Sequence, residues 1–509
     1  MKRITYIILL FSLAGITSCS KELDQQTVSD IAASNLFQNN NDFLLAVNGS
    51  YTKLKTIPTY LMWMNEMRSD NLNVTTDGNR DFQGIKNFSP NLTTTAFIVN
   101  AWQNDFNGIY NVNSTLEAIA TKGPAVLGDA GITRHTAECR FLRAFYYFDL
   151  LKYYGRLPLL DKPLSTSEAG KVPRNSLDSV YQFIIADFEY AAANLPPAWT
   201  GADVGRPSSY AAKGMLGLVY MTKSGPVLPN GPGLNSNEWS KALSYFSDII
   251  SSGKYTFATN YASIFSYTNE NNSEVVFDIQ YATTTNGADF PSQLAPDTYW
   301  AGLGLGTTHG NGYGSASYNV STNMLLSYRN SAGAGVIDKR DTFNIKKSYP
   351  TNQSTPTVLD TTRPFIKKYI DISRKGKDRA DWPINYIVLR YTDVLMMKAE
   401  CILHGATGTQ ADVDAIVKQV RDRAGVPVKT NVDLPFLMEE RRREFLGEGI
   451  RWSDLVRENM FVNTMNAWRV SDTLTTTIQP VKPEYSVYPV PQAEILAKPG
   501  LYDQNQGYY

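Results

Sequence analysis

Apolar side chains recur at three- and four-residue intervals along most of this chain, the pattern of helices with one buried face. Phe43, Val47, Tyr51 and Leu54 line up in residues 40–55, and Trp102, Phe106, Ile109, Val112 and Leu116 do so in residues 95–120. The most periodic stretch is 135–155, where Ala137, Phe141, Ala144, Phe145, Phe148 and Leu151 share a face and Gly155 supplies a C-terminal stop. A partner helix over 176–196 is ended by Pro196 and Pro197. Helical patterns return over 208–223, 237–253, 386–405, 412–425 and 433–459.

These segments pair across short turns, and their packing positions resemble tetratricopeptide helices. Ala137, Phe141 and Ala144 match the second-helix pattern, Ile184, Phe188 and Ala191 form a degenerate copy, and Trp239, Ala242, Leu243 and Phe246 match the first helix. Small residues let paired helices approach, and aromatics fill the holes between them. The expected fold is mostly α, with a helical scaffold over 35–57, 101–254 and 386–509. Two insertions, 58–100 and 255–385, break the pattern with Asn, Thr, Gly, Tyr and Trp. Within them "SEVVFDIQYA" reads as a strand and residues 297–319 as a glycine-rich aromatic loop.

The N-terminus follows a different pattern. Lys2 and Arg3 precede a short apolar run ending in small residues, the layout of a secretory signal over 1–18. That run is too short for a spanning helix, which needs roughly 20 apolar residues. The cysteine after it resembles a lipobox, Gly15-Ile16-Thr17-Ser18-Cys19, so Cys19 is expected to be lipidated and residues 19–34 to form a leash. Without residues 1–18 the chain has a formal charge of −2, so it lacks the basic surplus that binds nucleic acid. Cys139 and Cys401 sit in apolar helical contexts and are expected in the core.

Three stretches resemble the SusD/RagB family of Bacteroidetes outer-membrane lipoproteins: "AECRFLRAFYYFDLLKYYGRLPLL", "EERRREFLGEGIRWSDLVREN" and the closing "VYPVPQAEILAKPGLYDQNQGY". "NYIVLRYTDVLMMKAECI" fits the same family's helix before the second of these. The resemblance implies a single SusD-like domain over 35–509, with about four tetratricopeptide-like pairs and the inserted loops forming a ligand face. It also implies a surface lipoprotein of the outer membrane that binds a nutrient, most often an oligosaccharide and sometimes a peptide. The partner it implies is a SusC-like TonB-dependent transporter.

The cluster 439–458 has the residue types of an active site, but its carboxylates stand among arginines, which favour ionised pairs over a glycosidase acid. His135, His309 and His404 are far apart, with no zinc spacing, and no GxSxG occurs. No catalytic residue, metal or cofactor is therefore assigned, and a surface glycosidase stands as the enzymatic rival. For binding, Trp63, Asp70, Asn79, Arg80, Phe82, Tyr299, Trp300, Tyr313 and Trp382 fall in the aromatic loops, where rings could stack on sugar faces and polar groups take hydroxyls. Trp102 and Trp452, on periodic helices, are expected in the core.

Overall fold

The computed structural model describes residues 36–74, 81–284, 286–310, 312, 318–472 and 478–509. The signal segment, Cys19, the leash, Asn79, Arg80 and Tyr313 lie outside these residues.

Eight helices build the scaffold: α1 (Asn40–Tyr51), α2 (Ala96–Val126), α3 (Asp129–Tyr154), α4 (Leu177–Asn194), α5 (Ser209–Ser224), α6 (Trp239–Ser251), α7 (Tyr391–Leu403) and α8 (Gln410–Ala424). Each packs on the next, giving four successive pairs from α1/α2 to α7/α8. Local chemistry sets their ends. Asn39 and Asp42 form a capping box on α1, Thr409 and Asp412 another on α8, and Gly155 closes α3 at φ 70°. The chain runs from α6 to α7 through the long insertion, yet those two helices are neighbours.

Helix α3 is the centre of the core. Phe145, Tyr146, Tyr147 and Phe148 are consecutive and all buried, so this helix is covered on every side rather than along one stripe. Ala137, Phe141 and Ala144 are buried with it, as are Cys139, Cys401, Trp102 and Trp452. Where α5 meets α6, a Cβ on Gly217 would stand 2.3 Å from the Phe246 ring, so only glycine permits that approach.

The strands are short and occur as antiparallel pairs. In chain order they are β1 (Leu72–Val74), β2 (Val275–Ile279), β3 (Tyr318–Val320), β4 (Ile345–Lys346), β5 (Tyr349–Pro350), β6 (Leu359–Asp360), β7 (Phe365–Ile366) and β8 (Tyr386–Arg390). They pair β1–β3, β2–β8, β4–β7 and β5–β6. The helix expected over 386–405 therefore begins five residues late. Its first residues are β-branched and aromatic, and they complete a ladder with β2 instead.

The first insertion also departs from expectation at its start. Residues 52–66 continue as a series of helical turns, ending in one wide π-type turn over Met62–Glu66. Met62, Trp63, Met64 and Met67 are all buried there, so this stretch belongs to the core.

Candidate functional site

The charged cluster resolves into buried ion pairs on two further helices, α9 (Leu434–Glu444) and α10 (Arg451–Arg457). Arg340 lies between Asp338, Glu440 and Glu444 at 2.7, 2.7 and 3.1 Å. Arg390 joins Glu444 to Glu448 at 3.0 and 2.9 Å, and Arg423 joins Glu274 to Glu444 at 2.7 and 2.6 Å. Burial opposes charge on Glu440 and Glu444, but the guanidinium groups outweigh it and hold both carboxyls below their usual range. Carboxylates held this way are poor general acids.

Helical spacing places Arg451 three residues before Asp454, but the two do not pair. Asp454 faces Arg441 and Arg457 at 2.8 Å each, whereas Arg451 turns to Asp70, gripping both carboxylate oxygens at 2.9 and 3.0 Å. A bidentate buried pair is worth more than an i,i+3 contact on a helix surface. Asp70, expected to meet ligand, is thus a counter-ion in the core, with Arg442 3.2 Å away. Burial opposes its ionisation, and the two arginines prevail to depress its pKa.

Among the described residues, the aromatics expected to line the ligand surface also face inward. Trp63 stacks between Phe82 and Phe97 at 5.1 and 4.7 Å, with the edge of Tyr318 at 5.2 Å. Trp300, Trp382 and His309 form a second cluster with ring separations of 5.6 to 5.8 Å. Trp63, Phe82, Trp300 and Trp382 are 0 % exposed and Tyr299 is 8 % exposed. These rings have no free face for a sugar and act as packing. Large flat side chains bury 150–250 Å² each, which makes them the natural anchors for loops poor in aliphatic residues.

What they anchor is a polar cleft. Trp300 sits within a short helix, Asp297–Gly302, and His309 ends another, Gly306–His309. Trp382 sits on the facing segment, exchanging backbone hydrogen bonds with Ala288 at 2.9 and 3.1 Å and donating from its indole to Ser292 Oγ at 2.8 Å. The backbone N–H of Arg379 donates to the Thr308 carbonyl at 2.9 Å, locking the two walls together. Between them opens a cleft of about 530 Å³ lined by Asp297, Thr307, Thr308, Asp378 and Arg379, with Gly306, Gly310 and Gly312 in the floor and rim. Asp297 Oδ2 accepts from Gly312 N–H at 3.2 Å, and Asp378 Oδ1 accepts from Ala380 N–H at 2.9 Å. His309 lies beneath, where burial lowers its pKa and favours the neutral ring.

This lining combines carboxylate acceptors, a guanidinium fork and hydroxyls, a set suited to neighbouring hydroxyl groups on a ligand. Sequence reasoning marked the anchors and missed the lining. Asp297 and Arg379 each precede a marked tryptophan by three residues, and Gly312 precedes Tyr313 directly. Their signal was adjacency to an aromatic in a glycine-containing loop. Among the described residues, no group of three or more His, Cys, Asp and Glu side chains is arranged to hold a metal.

The family model described as "SusD family" matches residues 341–508, and the one described as "Starch-binding associating with outer membrane" matches residues 25–221. A SusD-like protein of Bacteroides ovatus is 30% identical over 387 residues, 72% of this chain and 68% of the relative. A SusD-like protein of Formosa agariphila is 24% identical over 99% of both chains. Among solved structures, surface glycan-binding protein A from Bacteroides thetaiotaomicron, in complex with laminarihexaose, superposes with a TM-score of 0.76 at 23% identity. That likeness covers 92% of this chain and 100% of the other.

Proposed function

Because this chain belongs to the SusD/RagB family, we propose that it binds a glycan at the outer-membrane surface, in the cleft between Asp297 and Arg379. The observation that carries the reading is the cleft itself: a wide polar opening, built on buried aromatics, whose lining is hydrogen-bonding side chains. The description of the family model over 25–221, and the laminarihexaose bound by the relative from Bacteroides thetaiotaomicron, support a sugar as the ligand.

Binding without cleavage fits the chemistry. A glycosidase sets one carboxyl with a raised pKa across the scissile bond from a second carboxylate. Here burial raises several carboxyls, among them Asp105 and Glu400 inside the helical scaffold and Asp278 on β2, which accepts from Gln280 and Asn385, and none of the raised carboxyls lines the cleft. In the proposed role Cys19 carries the lipid anchor, and the captured oligosaccharide passes to a SusC-like TonB-dependent transporter.

Calorimetric titration of the chain from Ser20 against glycan and peptide panels tests the reading. Saturable heat with a glycan is expected, and Asp297→Asn or Arg379→Met should weaken it about tenfold, the loss of one charge-assisted hydrogen bond. Heat with peptides alone, or glycan binding indifferent to both substitutions, would overturn it.

A further inference from the structure

A second pocket opens on the same insertion, and its charge is unusual for this molecule. Residues 363–379 carry seven basic and two acidic side chains in a chain that balances 48 against 48. Lys368 is spent inside the core, paired with Glu448 at 2.7 Å. Lys346, Lys367, Arg374 and Lys375 have no ion-pair partner among the described residues. Lys367 and Arg374 line a pocket of about 480 Å³ together with Phe265, Tyr267 and Phe343.

The pocket is built as well as charged. Phe265 and Phe343 pack with centroids 6.0 Å apart, and the Tyr267 hydroxyl donates to the Tyr369 carbonyl at 2.8 Å, so the rings are held in place. The lining holds one carboxylate, Asp371, and it accepts from its own turn, at Ser373 N (3.0 Å) and Ser373 Oγ (2.6 Å). Lys367 follows β7 directly, and its N–H donates to the Asn344 carbonyl at 2.7 Å, which fixes its stem beside β4. Lys367 is half-buried without a counter-ion among the described residues, an arrangement that costs free energy until an anion arrives. Burial and the neighbouring Lys346 both push its pKa down.

We propose that this pocket is a subsite for an acidic sugar unit, one bearing a carboxylate or a sulfate, whose ring packs on the partly exposed Tyr267 and Phe343 while Lys367 and Arg374 take the anion. The inference rests on the glycan-binding reading and narrows its ligand to anionic glycans. The two sites are near neighbours in the chain. Arg374 lines the pocket and Asp378 lines the cleft, and four residues of chain separate them by at most about 14 Å. An anion also reverses the penalty on Lys367, whereas a neutral sugar leaves it in place.

The test is titration with matched tetrasaccharides: a neutral galactan, the corresponding galacturonate and a sulfated galactan, repeated for neutral and acidic glucan and mannan backbones. On one backbone an acidic member should bind about tenfold tighter than its neutral counterpart, and the advantage should shrink in high salt. Lys367→Met, which keeps the alkyl stem, and Arg374→Met should remove the advantage while leaving neutral binding unchanged and thermal unfolding no lower than the parent's. Uronate ahead of sulfate, or the reverse, identifies the anion. Equal affinity for neutral and acidic members, or an acidic preference that survives both substitutions, overturns this inference and leaves glycan binding standing. Silence on every backbone overturns glycan binding as well.

Discussion

At the residue scale, the arginines of α9 and α10 show how a charge cluster becomes structure. Arg451 reaches Asp70 across 381 residues of sequence, and both side chains are buried. Removing one partner of such a pair strands the other, so Arg451→Met should destabilise the fold by about 3–5 kcal/mol at pH 7. The pH dependence of that loss follows from Asp70. Its folded pKa is depressed, so its contribution is present above the unfolded value near 4 and is lost as pH falls through the folded value. The gap between variant and parent should therefore narrow below about pH 4, as read from urea midpoints across the acid range. A gap that stays constant with pH would mean that Arg451 acts through packing alone.

At the scale of elements, the turn joining α9 to α10 depends on glycine. Gly447 and Gly449 have φ values of 82° and 67°, and their N–H groups donate to the Glu66 carboxyl at 2.9 and 3.1 Å. Burial raises the Glu66 pKa, although these donors and Asn71 pull against it. The turn thereby ties the second helical signature to the π-type turn of the first insertion. A Cβ on Gly449 would stand 2.8 Å from the Leu61 Cβ, in a conformation that L side chains rarely adopt. Gly449→Ala should cost about 1–3 kcal/mol in chemical unfolding, and unchanged stability would show that the junction tolerates a rearranged turn. This contact explains why residues 60–71 belong to the core. In sequence they carry loop composition, because their periodicity is broken where the helix widens and because their partners lie at the far end of the chain.

At the scale of the molecule, a helical scaffold presents loops that carry a cleft and a basic pocket, and the proposed lipid at Cys19 sets where that face works. Cys19→Ala should release the protein from the membrane fraction while its glycan titration in solution stays the same, and unchanged membrane retention would remove the anchor from the account. The sequence by itself was enough for the family, the mostly helical class and the packing positions of the paired helices. Helical periodicity and contiguous motifs are local properties, and each survives without knowledge of the rest of the chain. The same holds for the ion-pair character of 439–458, where opposite charges share one segment. Only the tertiary structure decided which side of each loop faces out. In the insertions the aromatics have no period to mark an inner face, so Trp63, Trp300 and Trp382 read as ligand contacts until the fold closes over them. Beside Trp300 and Trp382, Asp297 and Arg379 are left at the opening, whereas Glu66, Arg68 and Asp70 follow Trp63 into the core, because distant partners such as Arg451 and the Gly447 N–H satisfy them there.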